Sequence, residues 1–188
     1  MNDINQTNNP LDPADLGTPP ESVEAGFAAF KFSELILKAI AEQGYNTPTP
    51  IQAQAIPHIL QGQDVMGAAQ TGTGKTAAFV LPMIEKILPQ ASSSASPARH
   101  PIRALILTPT RELADQVADN AFKYAKYTDL RTAVVFGGVD MKQQTQLLRN
   151  GVEILIATPG RLLDHIGQNV ANLSQVQMLV LDEADRML

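Results

Sequence analysis

The residues best suited to chemistry in this chain form the stretch Ala69–Thr76, which reads AQTGTGKT. This is the spacing of a Walker A loop, in which glycines let successive backbone N–H groups point at phosphate oxygens. Lys75 would reach the β- and γ-phosphates of a nucleotide, and the Thr76 hydroxyl would ligate Mg²⁺. The predicted phosphate-binding residues are Gln70, Thr71, Gly72, Thr73, Gly74, Lys75 and Thr76.

A Walker A loop joins a strand to a helix, and its flanks here predict both. Asp64–Ala68 reads as a short buried strand, and apolar residues at helical spacing from Thr76 to Leu88 predict a helix. The N-terminus of that helix would add a positive dipole at the phosphates. The strict pattern starts with Gly, whereas this chain has Ala69. The alternative, a flexible turn with an incidental lysine, is disfavoured by the flanks.

A second reactive segment, Asp182-Glu183-Ala184-Asp185, directly follows the apolar run Leu179–Leu181. In a Walker B segment the first acid holds Mg²⁺, usually through water, and the next orients or deprotonates the attacking water. Asp182 and Glu183 are the candidates for these roles. Alone, the acidic run would be better explained as a solvated helix start. Beside a Walker A loop, the catalytic interpretation is favoured.

Elements that alternate along the chain position both segments. The predicted strands are Ile102–Thr108, Arg131–Phe136, Glu153–Ala157 and Met178–Asp182, and the predicted helices between them are Arg111–Tyr127, Asp140–Arg149 and Pro159–Gly167. Such alternation predicts an α/β fold with a parallel sheet covered by helices on both faces. Two helices precede them, one capped by Ser33 and ending near Gln43, the other at Pro50–Leu60. Ligands of such sheets gather at the carboxyl ends of the strands.

Composition bounds the class of protein. The 188 residues are 44% hydrophobic and 18% charged, as in a globular protein, and we expect one folded domain starting near Phe27. Residues 1–26 hold five acids and no Lys or Arg, so we expect a disordered acidic tail, which leaves the rest of the chain balanced in charge.

The absence of cysteine and of a long apolar run predicts a cytoplasmic protein without a membrane anchor. The three histidines lack ligand spacing, which favours solvated or packed histidines over a metal site. The Ser-rich segment between Pro89 and Pro101 reads as an exposed flexible loop.

Three further segments fall at the same predicted sheet edge. Thr110-Arg111 and Thr158-Pro159-Gly160-Arg161 each open a predicted helix, and Gly137-Gly138 follows a predicted strand. A helix N-terminus with a nearby arginine is a phosphate site, so these segments can grip the backbone of a single strand of nucleic acid. The alternatives are two helix caps and a turn. The two interpretations do not exclude each other.

The combined motifs resemble those of DEAD-box ATP-dependent RNA helicases, and the chain looks most similar to the bacterial RhlE-like branch. The resemblance rests on AQTGTGKT, PTREL at Pro109–Leu113, the pair Gly137-Gly138, TPGR at Thr158–Arg161 and the DEAD tetrad, and it covers residues 27–188. It implies a RecA-like P-loop NTPase domain with ATP and Mg²⁺ as cofactors, RNA as the partner, and Lys75, Asp182 and Glu183 as catalytic residues. Asp185 joins the nucleotide-binding set. The implied RNA-binding residues are Pro109, Thr110, Arg111, Gly137, Gly138, Thr158, Pro159, Gly160 and Arg161.

The family also has a Q motif, matched here by Gly44–Gln52 with an upstream aromatic at Phe27. The resemblance implies that Phe27 stacks on adenine, that Gln52 hydrogen-bonds the adenine edge and that Tyr45 belongs to the nucleotide site. A different interpretation of Gln52 exists, because Thr49-Pro50-Ile51-Gln52 also has the pattern of a capping box. Spacing alone favours the cap, and the resemblance favours adenine.

We therefore expect the first RecA-like domain of an ATP-dependent RNA helicase, in a chain that ends just after its DEAD motif. The family carries a second RecA-like domain with arginine fingers beyond this point, so we expect the 188 residues by themselves to be nearly inactive as an ATPase. Two other classes of function remain open. One is an RNA-binding or protein-interaction module without turnover, and the other is a P-loop enzyme that acts on a small molecule.

Overall fold

The computed structural model describes residues 26–70 and 72–187. The predicted tail lies outside these residues except for Gly26, and so does Thr71 of the predicted phosphate loop. The helices are α1 (Glu34–Glu42), α2 (Pro50–Leu60), α3 (Lys75–Ile87), α4 (Arg111–Ala125), α5 (Met141–Arg149) and α6 (Pro159–Gly167). The strands are β1 (Ala104–Leu107), β2 (Thr132–Val135), β3 (Ile154–Ala157) and β4 (Met178–Leu181). No helix within the described residues is long and apolar enough to cross a membrane.

The four strands form one parallel sheet in the order β2-β3-β1-β4. Their last residues are in register, since Leu107 pairs with Ala157 and Leu181, and Ala157 pairs with Val135. The residues that follow the strands therefore lie along one edge of the sheet, with about 4.8 Å between neighbouring strands. The predicted parallel sheet is confirmed.

Side chains alternate between two buried faces, as the pleat of a strand requires. Ala104 and Ile106 of β1 belong to a core with α1, α2, α3 and α4, whereas Leu105 and Leu107 pack in a second core with α5 and α6. Helices thus cover both faces, as predicted. On β4 the cover is incomplete, because Leu179 and Leu181 are more than half exposed.

Side-chain capping hydrogen bonds explain some of the helix starts but not all of them. Thr110 Oγ1 accepts from the N–H of Leu113, 3.2 Å away, and Asp140 Oδ1 accepts from the N–H of Lys142, so both residues cap helices through their side chains. Ser33 and Thr158 also occupy N-cap positions, but neither side chain makes a capping hydrogen bond. For these two the predicted position is right and the predicted contact is not formed.

The predicted buried strand at 64–68 is wrong. The segment has no strand hydrogen bonds and all five residues are exposed, Met66 completely. A strand is maintained by a neighbour that takes its backbone groups and covers its side chains. Within the described residues, β4 is the edge of the sheet and pairs only with β1, so this apolar segment has no strand beside it.

The Ser-rich segment is largely exposed, as predicted, but it is anchored at its end. His100 is fully buried, and its Nδ1 lies 2.6 Å from Oε1 of the buried Glu153. The carbonyl oxygen of Ser94 lies 2.6 Å from Nε2 of His100 and also accepts from Arg131. These contacts attach the segment to the amino ends of β2 and β3, so its predicted flexibility is not supported.

Candidate functional site

A cavity of about 320 Å³ opens at the carboxyl edge of the sheet, beside β4. It brings together residues from before α2, from the glycine loop and the start of α3, from α4, and from the segment after β4. Its lining consists of Tyr45, Gly72, Gly74, Lys75, Thr76, Ala77, Leu113, Gln116, Asn120, Tyr124, Asp182 and Glu183. Seven of the predicted nucleotide-site residues therefore meet here, although the two main motifs lie far apart in sequence.

The glycine loop has the backbone shape that the Walker A pattern requires. Gly72 and Gly74 have φ angles of +80° and +85°, in the left-handed region that glycine adopts at little cost. The Thr73 hydroxyl donates to the Gln70 carbonyl at 2.7 Å, which closes the loop on itself. Gly74 is the N-cap of the 13-residue helix α3 and Lys75 is its first residue, so the positive end of the helix dipole lies at the cavity.

Gln52 holds this loop from the side. Its side chain is buried, its Oε1 accepts from the N–H of Thr49 at 2.9 Å, and its Nε2 donates to the Gly74 carbonyl at 3.1 Å. A Cβ added to Gly74 would collide with Gln52 Nε2, so any larger residue at this position would displace the amide. The capping interpretation is thus confirmed, with an added contact to the loop. The amide keeps one N–H and one lone pair, and its contact with adenine stays a prediction.

The two acids after β4 differ in environment. The N–H of Asp182 donates to the Leu107 carbonyl at 2.9 Å, which ties the start of the acidic segment to the end of β1. Burial raises the pKa of the Asp182 carboxyl, as does the charge of Glu183, while the charge of Lys75 and a backbone hydrogen bond from Glu183 lower it. Glu183 has a φ of +52°, which is strained for a residue with a side chain, and it pairs with Arg186 at 3.0 Å.

The two aromatic residues predicted for the nucleotide site lie at different depths. Phe27 is only 4% exposed and belongs to the core, with its ring centroid 6.4 Å from that of Tyr45 and 6.0 Å from that of Phe30. Tyr45 is 38% exposed and lines the cavity. The ring of Phe27 is therefore covered, and of these two residues Tyr45 is the one open to a ligand.

Three other predicted nucleotide residues do not line the cavity. Gln70 and Asp185 are exposed, and Thr73 is turned toward the Gln70 carbonyl. Asp185 lies in the short 3₁₀ turn Ala184–Arg186. Thr71 is outside the described residues.

One face of α4 lines the cavity, although the sequence analysis does not predict this. Gln116, Asn120 and Tyr124 line the cavity at a spacing of four residues, which puts them on one side of the helix. The Tyr124 hydroxyl lies 3.3 Å from that of Tyr45 and 3.4 Å from Asn120 Oδ1, and burial raises the pKa of Tyr124. The polar pair at 116 and 120, opposite the apolar positions of the predicted helix, was the signal available in the sequence.

The predicted RNA-binding residues gather at the other end of the same edge, after β1, β3 and β2. The Arg111 guanidinium lies 4.9 Å from the centroid of the Phe136 ring, just before the exposed pair Gly137-Gly138. Arg161 Nη1 donates to the Val139 carbonyl at 3.2 Å, just after that pair. Both arginines therefore border the glycine turn. The other members start α4 and α6 nearby: Pro109, Thr110, Thr158, Pro159 and Gly160.

Comparison with known proteins agrees with this arrangement. The chain is 46% identical over 177 residues to a probable ATP-dependent RNA helicase ddx42 of Dictyostelium discoideum, covering 94% of this chain and 18% of the relative. It is 42% identical to the DEAD-box ATP-dependent RNA helicase RhpA of Helicobacter pylori, covering 93% of this chain and 35% of the relative. It is 48% identical to the ATP-dependent RNA helicase CshA of Limosilactobacillus reuteri, covering 84% and 31%.

The chain thus spans between 18% and 35% of the length of these relatives. Their names do not test the RhlE-like placement, which stays a prediction. The parallel sheet with helices on both faces is the architecture expected of a RecA-like domain. Since the sequence model of the DEAD/DEAH box helicase family matches residues 49–188, the chain belongs to this family.

Proposed function

We propose that this chain is the ATP-binding part of an ATP-dependent RNA helicase, in which ATP hydrolysis is coupled to RNA binding and local duplex unwinding. One observation carries the proposal: Lys75, Asp182 and Glu183 converge on one cavity. The names of the similar proteins support it further. In this proposal residues 27–188 form the first RecA-like domain, and the protein works in the cytoplasm.

In the nucleotide cavity each residue has a distinct task. The backbone N–H groups around Gly72 and Gly74 and the Lys75 ammonium bind the phosphates. Thr76 and Asp182 fit a divalent cation, because both line the cavity and an adjacent cation would offset the cost of ionising a partly buried carboxylate. Mg²⁺ held there supplies charge neutralisation at the phosphates. Glu183 orients or deprotonates the attacking water once its ion pair with Arg186 opens.

The RNA side is proposed to contact the sugar-phosphate backbone. Arg111 and Arg161 provide two cations at the glycine turn, and the N-terminus of α4 provides a helix dipole beside them. Aromatic residues make up 5% of the chain, which disfavours base stacking as the main source of affinity. Such contacts recognise single-stranded RNA, or an RNA duplex, without reading its sequence.

Two binding measurements on the 188-residue chain test the proposal. Calorimetry in the presence of Mg²⁺ should show that the chain binds ATP and binds GTP more weakly. Fluorescence anisotropy with labelled single-stranded RNA should show salt-dependent binding. RNA binding without any ATP binding would support a module that does not use nucleotides. ATP binding without RNA binding would support a P-loop enzyme that acts on a small molecule. Either result would refute the proposal as stated.

A further inference from the structure

The turn that carries Gly137 and Gly138 is held by side chains at both ends. The Phe136 carbonyl, just before the glycines, accepts from Gln144 Nε2 at 2.9 Å. The Val139 carbonyl, just after them, accepts from Arg161 Nη1 at 3.2 Å. Both glycines are exposed and have no side chain, and Gly138 has a φ of +82°, so contacts from neighbouring residues must fix the turn.

A second buried group stands behind Gln144. The Gln144 side chain is buried, and its Oε1 lies 3.2 Å from Nε2 of His165, a residue with no exposed surface. Because Nε2 of Gln144 donates to the Phe136 carbonyl, Oε1 of the same amide must be the acceptor. Nε2 of His165 therefore carries the hydrogen.

His165 is held in one protonation state by its surroundings. Its Nδ1 is buried and has no hydrogen-bond partner among the described residues. Burial lowers the pKa of His165, the charge of Arg161 lowers it further, and the charge of Asp164 opposes both. The ring is thus neutral at physiological pH, with its hydrogen directed at Gln144.

Helix α6 supplies both supports of the turn. Arg161 and His165 are four residues apart, one helical turn, and so lie on the same side of α6. Arg161 reaches the carbonyl after the glycines directly, and His165 reaches the carbonyl before them through Gln144. The Phe136 ring lies beneath the Arg111 guanidinium, so a shift of the Phe136 backbone would move that arginine as well.

We infer that Gln144 and His165 are positioning residues for RNA binding, which hold the Gly137-Gly138 turn and the Phe136 platform of Arg111 in place. This inference rests on the proposed function. Burying an amide and an imidazole is costly, and the hydrogen bonds that offset part of this cost end on a carbonyl of the proposed RNA surface. Neither residue touches the RNA.

Substitutions at His165 separate positioning from mere stability. His165→Leu removes the donor to Gln144, whereas His165→Gln keeps an N–H donor at similar reach. With the 188-residue chain and labelled oligouridine, His165→Leu should weaken RNA binding roughly 3- to 10-fold, the worth of one buried hydrogen bond. The slope of log K against log salt should not change, because no phosphate contact is lost, whereas Arg161→Ala should reduce it by about 0.7. His165→Gln should restore the affinity.

Three controls make the result decisive. His58→Leu changes an exposed histidine and should leave RNA affinity unchanged. ATP binding by calorimetry should persist in every variant, which shows that the domain is folded. If His165→Leu does not fold, Gln144→Glu, which nearly keeps the side-chain volume and loses the donor to Phe136, should show the same loss of affinity.

The inference is overturned if the folded variants bind RNA like the unaltered chain, if the salt slope falls with the affinity, or if His165→Gln does not rescue. Amide hydrogen exchange at Gly137 and Gly138 gives a readout without RNA and should accelerate in His165→Leu but not in His165→Gln. If the unaltered chain does not bind RNA, the proposed function fails. The exchange rates then still decide whether these side chains hold the turn.

Discussion

Gln52→Glu is the substitution that best separates the roles of Gln52. From the sequence alone, a capping box accepts either residue, so the change should leave the stability of the chain unaltered. The structure adds the hydrogen bond from Gln52 Nε2 to the Gly74 carbonyl. A carboxylate keeps the contact with the Thr49 N–H but has no hydrogen to give to Gly74, so two acceptors would face each other at the phosphate loop.

The magnitude follows from that one contact. Loss of the hydrogen bond costs about 0.5–1.5 kcal/mol, and leaving a buried acceptor opposed brings the total to about 1–3 kcal/mol. Gln52 is 4% exposed, so water cannot replace the lost donor without a rearrangement. A loss of about 2 kcal/mol lowers the melting temperature of a domain of this size by about 4–8 °C. We expect this loss at pH 8, together with weaker ATP binding, because the loop loses its lateral support.

The penalty should depend on pH in a definite direction. Burial raises the pKa of the new carboxyl, which favours its protonated form in the folded chain. The protonated group can again donate to Gly74, so the difference in stability between the variant and the unaltered chain should shrink as the pH falls from 8 toward 5. The midpoint of urea unfolding at several pH values measures this. Gln54→Glu, the same change at an exposed position of α2, is the matched control. A variant as stable as the unaltered chain at pH 8, or a penalty independent of pH, would refute the reasoning.

Three further substitutions test the rest of the site. Lys75→Ala should weaken ATP–Mg²⁺ binding by roughly 10-fold or more in calorimetry, since loss of a hydrogen bond to a charged group costs about 1.5–3 kcal/mol. The melting temperature should not change. Lys123→Ala on α4 is the control and should affect neither quantity. Asp182→Asn should raise the free energy of unfolding at pH 8, because burial raises the pKa of Asp182 and the ionised carboxyl is therefore costly in the folded chain. The gain should vanish at acid pH, where the carboxyl is protonated. A loss of stability at pH 8 would contradict this. Arg111→Ala should weaken single-stranded RNA binding for all sequences and reduce the salt slope by about 0.7, while Arg149→Ala, at the opposite sheet edge, should leave both unchanged.

Much of the fold follows from the sequence because its signals are local. Helices α2 and α6 have the predicted limits, Pro50–Leu60 and Pro159–Gly167. The other helices and strands differ from the predictions by one or two residues at one or both ends. Periodicity and turn residues fix such elements, whereas fraying and pairing decide the terminal residues. The shared edge followed from the parallel order of the strands, which brings Asp182 next to the end of β1.

The parts that sequence did not predict depend on contacts between distant segments. The apolar residues at 64–68 read as a strand, but pairing decides whether a strand forms, and the described chain offers no partner there. The burial of Phe27 depends on the packing of Phe30 and Tyr45 around it. The α4 face at Gln116 and Asn120 became part of the site only because α4 crosses the cavity.

Gln52 and Thr110 show why the capping and the functional interpretations were hard to separate. Each residue caps a helix, Gln52 at α2 and Thr110 at α4. A cap fixes where a helix begins, and the beginning of a helix is where its free N–H groups and its positive dipole lie. A protein that binds phosphates at helix N-termini therefore needs caps at those places. For this reason a capping contact is no argument against a role in binding, and only a substitution that spares the cap while removing the second contact, as Gln52→Glu does at Gly74, can tell the two roles apart.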